Sequence, residues 1–378
     1  MQFIVEVGFG LLGYVIHKIW CALNASRWRR AWSKAAELLG YARRGLRLTG
    51  QHEEALAVEL HVVHKGSKSW TAGRVSGPAM PPVSLRREGL FVSEDTQVGD
   101  KSVDRKLLLE GPEATLVAIL DSEMRAELES LISDKEWSVA EGVLHAKSNN
   151  VLAEPEDIVG FSKSMTELAE RLRLDRRSVF DRLCHNALND PLSSVRARNL
   201  EVLLDFEERP DDPRVAQAAQ RALSSKEPRL RLLGAILKKD ATELESLARQ
   251  AADLDAASNL RLIPALVSLR PPGTQATLMT LLDFDSSPVQ VAAAEGLGAL
   301  GDLQAVEALH RHTESWFGGD LKKASREAMI AIQARESATH APGGLSLVTP
   351  VEQEGRLSVS EPAGGLSVPI DAALDEGA

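Results

Sequence analysis

The chain has 378 residues, of which 44% are hydrophobic and only 4% aromatic, and its formal net charge is −10. This length predicts two or three domains with a sizeable core, and the ordinary charge content excludes wholesale disorder. Two cysteines exclude a disulfide framework and fit a reducing compartment, while the acidic balance argues against general nucleic-acid binding.

Charge is spread unevenly along the chain. Residues 1–50 carry eight basic and two acidic side chains, a net charge of +6, whereas residues 338–378 carry one basic and six acidic side chains, a net charge of −5. The middle of the chain therefore carries −11. A basic head and an acidic tail predict that the two ends have different environments or partners.

The chain begins with an apolar run over residues 3–23, and we predict an apolar helix over 1–26. A spanning helix needs about 20 mostly apolar residues, and this run reaches that length only by including Glu6, His17 and Lys18. We expect a spanning or interfacial membrane anchor. The alternatives are a soluble helix packed on the next domain and a cleaved signal peptide.

Aromatic and basic side chains cluster directly after this run, as they do at membrane interfaces. The predicted interface residues are Trp20, Arg27, Trp28, Arg29 and Arg30, with Trp32 beside them. By the positive-inside rule this basic cluster stays on the cytoplasmic side. The predicted location is therefore cytoplasmic, with attachment to the inner face of the cytoplasmic membrane through the N-terminal helix.

Residues 27–147 mix helical and strand patterns, and they predict a small α+β domain. Alternation of Ala57, Glu59 and His61 with apolar residues indicates a half-buried strand. The predicted elements are a helix over 27–40 ended by Gly40, strands over 55–63, 69–75, 106–109 and 139–146, and a helix over 114–132. The GDKS string at 99–102 lacks the glycines of a phosphate-binding loop, so we interpret it as an ordinary loop.

A polar linker is predicted over 148–156, and after it a helical pattern repeats. An apolar lead residue is followed by a basic or polar residue and then by small or apolar residues. The lead residues are Val195, Leu230, Leu260, Val289 and Leu321, separated by 35, 30, 29 and 32 positions. A period of about 30 residues indicates stacked helix pairs.

These repeats resemble the HEAT-repeat family in its short, lyase-type bacterial form. The segment 287–309 matches that pattern at Pro288, Val289, Ala293, Ala294, Leu297, Gly298, Ala305 and Leu309. The repeat led by Leu260 lacks the preceding proline, and two repeats lack the usual arginine after the lead residue. The resemblance implies an all-α HEAT-repeat solenoid over 157–337. The whole chain also resembles bacterial HEAT-repeat domain-containing proteins with no established activity.

The side chains after the lead residues have two interpretations. They either join hydrogen bonds along the stack or line a partner-binding face, and they are Arg196, Arg231, Arg261, Gln290 and Lys322. Trp316 is likewise either an anchor between repeats or an exposed anchor for a partner.

Residues 338–378 are rich in Gly, Ser and Pro, which predicts a disordered tail. Three Gly-Leu-Ser-like copies, at 343–347, 355–359 and 364–368, either add strands to a partner's sheet or form a neutral spacer. The predicted fold is thus multidomain, with a small α+β domain, an all-α HEAT-repeat solenoid and a disordered tail.

Because no motif for a catalytic, metal or cofactor site is found, we expect a non-enzymatic protein–protein interaction scaffold without cofactors, tethered at the membrane. One alternative is a lyase-like enzyme or the regulatory subunit of an enzyme complex. The second alternative, less expected, is nucleic-acid binding by a HEAT concave face through Arg229, Arg231, Lys238 and Lys239.

Overall fold

The computed structural model describes residues 24–52, 55–66, 68–87, 96–134, 136–174, 176–206, 212–313 and 319–339, and two short strands at 345–346 and 358–359. The chain divides into two compact units, Met1–Arg221 and Ala222–Ala378. The first contains an antiparallel sheet and several helices, and the described part of the second is dominated by helices.

The first unit is built on an eight-stranded antiparallel sheet in the order β1-β2-β3-β4-β8-β7-β5-β6. Its strands are β1 (Ala42–Arg43), β2 (Arg47–His52), β3 (Leu56–Lys65), β4 (Lys68–Ser76), β5 (Ser84–Arg87), β6 (Leu107–Glu110), β7 (Glu136–Ala140) and β8 (Val143–Lys147). The predicted strands near 55–63, 69–75 and 106–109 are confirmed. The strands β1, β2 and β5 were not predicted from the sequence.

Two predicted elements of this unit are corrected. The single strand expected over 139–146 is the hairpin β7–β8, because Glu141 and Gly142 both adopt positive φ angles, of 50° and 74°, and reverse the chain. The helix expected over 114–132 is two helices, α3 (Glu113–Ile119) and α4 (Ser122–Asp134), separated at Leu120.

Helices cover one face of the sheet. Helix α1, described over residues 24–39, ends at Gly40, where φ is +68°, as predicted. Helix α5 (Pro155–Leu172) packs on β3, β4 and β8. Gly73 permits this close approach, because a Cβ at that position would lie 2.3 Å from Met165 Sδ. The covered face is therefore the apolar one expected from the alternation in β3.

The segment predicted as a linker makes fixed contacts in the structure. Ser148 is buried and its Oγ accepts a hydrogen bond from Thr71 N at 3.1 Å. Leu152 N donates to Thr71 Oγ1 at 3.0 Å, and Leu152 O accepts from Trp32. The division between the compact units lies at 221/222, well beyond this segment.

After α5, the first helices of the segment predicted as a solenoid belong to the first compact unit. They are α6 (Arg176–Asn189), α7 (Ser193–Leu204) and the beginning of α8 (Pro213–Leu223), with the short α2 (Lys101–Asp104) beside them in the same unit. Arg125 on α4 joins them through a buried network: its guanidinium donates two hydrogen bonds to Asp190, at 2.9 and 3.0 Å, and one to Asp100 at 2.8 Å. Asn186 on α6 also donates to Ala118 O on α3.

The second unit contains helix pairs in succession. Its helices are α9 (Pro228–Lys238), α10 (Ala241–Ala248), α11 (Ala256–Leu269), α12 (Thr274–Leu281), α13 (Ser287–Leu300), α14 (Leu303–Thr313) and α15 (Gly319–Thr339), with a 3-10 turn at Ala251–Asp253. Pro228 and Pro288 lie in the first turns of α9 and α13, as their positions predict.

The structure corrects the phase of the third repeat. In α13 and α15 the lead residues Val289 and Leu321 occupy the third helical position and are buried, and Ser258 holds that position in α11. Ser258 is 4% exposed, whereas the predicted lead residue Leu260 is 38% exposed. Burial then recurs four, seven and eight residues after the lead in all three helices. This common pattern identifies them as equivalent units.

Most of the predicted tail lies outside the described residues. Two of its Gly-Leu-Ser-like copies contribute short strands, β9 (Leu345–Ser346) and β10 (Ser358–Val359), which pair antiparallel with each other.

Candidate binding surfaces

Two of the side chains that follow lead residues make contacts within their own repeat. The Arg196 guanidinium donates to Asp190 O at 2.7 Å and to Pro191 O at 3.2 Å, just before α7 begins. Arg231 on α9 donates to the carboxylate of Glu243 on α10 at 2.8 Å. These contacts hold the turns and helices of a repeat together.

The other side chains predicted to follow lead residues differ in their exposure and in their contacts. Gln290 and Lys322 are half-buried in their helices. Because the third repeat is shifted by two residues, Asn259 rather than Arg261 follows the lead, and its side-chain amide donates to Ala251 O and Leu254 O. Arg261 is half-buried and makes a contact of its own. Trp316 lies outside the described residues.

A shallow groove runs between the second helices of two adjacent repeats, α10 and α12. Its volume is about 370 Å³. Small side chains form most of its lining, which comprises Glu245, Ala248, Arg249, Ala251, Ala252, Pro272, Gly273, Ala276, Thr277 and Thr280. Thr277 and Thr280 donate their hydroxyl protons to carbonyls of their own helix, at 3.2 and 3.1 Å. The groove therefore presents mainly methyl groups with one ion pair at its edge, between Glu245 and Arg249.

Next to this groove, two hydrogen bonds in opposite directions connect α12 to the start of α14. Gln275 on α12 donates to the Asp302 carboxylate at 2.7 Å and accepts from Asp302 N at 3.2 Å. The hydrogen bond from Gln275 is the main cause that lowers the pKa of Asp302, and backbone donors such as Gln304 N add to it. Asp302 therefore stays ionised and orients the start of α14.

The uncovered face of the sheet forms a second, polar concavity of about 570 Å³. The strand register aligns one row of side chains across it, and the row consists of Thr49, Glu59, Arg74, His145 and Ser138. Burial and, second, the charge of Arg74 lower the pKa of His145, so the imidazole is neutral near pH 7. Alternation in the sequence revealed only the β3 part of this face.

An aromatic side chain flanks this row. The Lys147 ammonium lies over the Trp70 ring, 4.8 Å from its centroid, in a cation–π contact. Glu59 pairs with Arg47 at 2.9 Å. The concavity thus combines hydrogen-bonding groups, cations and two half-buried indoles, those of Trp70 and Trp137.

The predicted membrane-interface residues fall in α1 or before it. Trp20 lies outside the described residues, Trp28 is half-buried, and Arg27, Arg29 and Arg30 are exposed. Trp32 is a correction: it is fully buried, and its indole N–H donates to Leu152 O at 3.1 Å. Among the described residues, no helix combines the length and hydrophobicity that crossing a bilayer requires.

The polar residues considered for nucleotide binding or nucleophilic chemistry serve to hold the fold together. Asp100 of the GDKS string accepts a hydrogen bond from Ser102 N and so caps the short helix α2. Burial raises the pKa of the Cys184 thiol to about 11, which disfavours the reactive thiolate. No group of three or more potential metal ligands occurs within the described ranges.

Comparison with known proteins gives one family match. Residues 289–314 match the model of the PBS lyase HEAT-like repeat. The matched segment covers nearly all of the helix pair α13 and α14. A search of the curated proteins finds no match to this chain.

Proposed function

We propose that this protein is a non-enzymatic scaffold that binds partner proteins through its helical repeats. The observation that carries the proposal is the burial pattern shared by α11, α13 and α15, together with the HEAT-like match at 289–314. Helix pairs of this kind bury their apolar faces only against neighbours, and the stacked surface they form is suited to extended partners. Stacking into a solenoid is part of this proposal.

The groove between α10 and α12 is the proposed partner-binding surface. Its small side chains leave room for the side chains of a partner, and its threonine hydroxyls need no further acceptors because they already donate within the helix. A partner with apolar or small side chains therefore enters without leaving buried groups unpaired. We expect modest affinity, because large aromatic anchors are missing from the lining.

The test is capture of partners by the tagged full-length chain from native cells, with the membrane fraction included. We compare Ala276→Glu in the groove with Ala299→Glu on α13, because both alanines are exposed helical residues. A charge in the groove reduces recovery of the partner, whereas the control leaves it unchanged. Recovery of no protein partner, or equal loss with both variants, contradicts the proposal.

We further propose that residues 1–23 tether the scaffold at the membrane. The support is their apolar sequence and the basic residues that follow them. Deletion of residues 1–23 is expected to move the protein from the membrane fraction to the soluble fraction of the cell. An unchanged distribution contradicts the tether and leaves the partner-binding proposal standing.

A further inference from the structure

One side of α1 presents a row of cations to solvent. Arg27, Arg30, Lys34 and Leu38 follow one another at spacings of three and four residues, so they lie on one side of the helix. All four are exposed, and Leu38 is 60% exposed, while Trp32 on the opposite side is fully buried. We call these four residues the basic stripe. It extends for about 17 Å along the helix axis at 1.5 Å per residue.

The central cations of the stripe have no acidic partner among the described residues. Arg27 forms an exposed ion pair with Glu154. Glu37 is exposed on the same side of the helix, three residues after Lys34, yet within the described part of the chain no ion pair involves Arg30 or Lys34. Both side chains therefore remain available to an external anion.

The surrounding sequence strengthens the positive potential. Residues 24–87 contain twelve Lys and Arg side chains against four Glu, a net charge of +8 in a chain whose total is −10. Such a concentration attracts anions even though the whole protein is acidic.

The stripe follows directly after the apolar segment 3–23. A cluster of basic residues next to a membrane-inserted segment is the arrangement that recognises anionic lipid headgroups. Leu38, at the C-terminal end of the stripe, adds an apolar side chain of the kind that enters the boundary between headgroups and acyl chains.

We propose that the basic stripe binds the surface of a bilayer that contains anionic lipids. Arg30 and Lys34 donate hydrogen bonds to headgroup phosphates, and Leu38 contacts the acyl boundary. The inference rests on the proposed tether: the apolar segment supplies affinity for any bilayer, and the stripe supplies the preference for anionic lipid. Nucleic acid is disfavoured because the exposed side of α1 combines its cations with Leu38 and the acidic Glu37, and not with stacking aromatic residues.

The experiment measures binding of the full-length chain to vesicles of phosphatidylcholine alone and of phosphatidylcholine mixed with phosphatidylglycerol. The test variant is Arg30→Glu with Lys34→Glu. The matched control is Lys226→Glu with Arg326→Glu, because both control cations are exposed on the second unit and the net charge changes equally. Each cation near an anionic surface contributes about fivefold to binding, so the test variant is expected to bind mixed vesicles at least thirtyfold more weakly.

Supporting results are a preference of the wild type for mixed vesicles that disappears at high salt, its loss in the test variant and its retention in the control. Equal binding of the wild type to both vesicle types overturns the inference but leaves the tether intact. Equal weakening by the control also overturns it, because net charge then explains the effect. If the protein binds a single-stranded oligonucleotide more tightly than mixed vesicles, and the test variant loses this binding, the stripe is a nucleic-acid site and the inference is wrong. Binding to mixed vesicles that persists unchanged after residues 1–23 are deleted refutes the tether and supports the stripe.

Discussion

Arg125→Met is expected to destabilise the first unit strongly. The guanidinium is 5% exposed, and it makes two hydrogen bonds to Asp190, one to Asp100 and one to Leu120 O. The Asp190 carboxylate is only 1% exposed and keeps one other donor, Leu192 N. Removing the arginine therefore leaves a buried carboxylate without a counter-charge.

The expected magnitude follows from this burial. Breaking a buried ion pair by removal of one partner costs about 3–5 kcal/mol, a large part of the ~5–15 kcal/mol by which a typical protein is stable. Asp190→Asn removes the charge that Arg125→Met leaves behind. The double variant is therefore expected to lose about 1–3 kcal/mol less than the sum of the two single variants.

Urea unfolding followed by tryptophan fluorescence measures these losses. Five of the six tryptophans precede residue 222, so the signal reports mainly on the first unit. The control is Arg86→Met, since Arg86 forms an exposed pair with Glu110 and its loss is expected to cost less than about 1 kcal/mol. A loss below about 1 kcal/mol for Arg125→Met, or strict additivity in the double variant, refutes the argument.

Two further predictions concern the helices and pH. Gly298→Val is expected to destabilise the protein by about 1–3 kcal/mol, because a Cβ there would lie 3.0 Å from Ala328 Cα, whereas Gly160→Ala on α5 meets open space and is expected to stabilise by about 0.5–1 kcal/mol. Thermal unfolding distinguishes the two, and equal shifts would contradict the packing argument. Because the folded-state pKa of Asp302 lies below its unfolded value, its contribution is present above the unfolded pKa and is lost as pH falls through the folded pKa. Gln275→Ala is therefore expected to lower the free energy of unfolding at pH 7 and to have less effect in acid, as urea titrations at both pH values will measure; a larger effect in acid would reverse the assigned sign.

The sequence predicted the elements whose pattern is local. Alternation in 55–63 identified β3, and prolines with small residues at fixed spacing identified α9 and α13. It placed the strand 139–146 as one element, however, because Glu141-Gly142 is not one of the usual two-residue hairpin pairs such as Asn-Gly or Asp-Gly. The third repeat was misphased for a similar reason. Leu260 is apolar and Ser258 is not, yet helix packing buries the serine.

By itself the sequence determined the helical repeats, the half-buried strand and the basic cluster after residue 23, because periodicity and charge are local properties. Tertiary structure alone decided that Arg125 meets Asp100 and Asp190, since these residues are separated by 25 and 65 positions. It also buried Trp32 and left Arg30 and Lys34 exposed on the opposite side of the same helix. The contact with Leu152 and the burial of Ala31, Ala35 and Ala36 determine which side of α1 faces solvent, and this separates the structural tryptophan from the exposed cations.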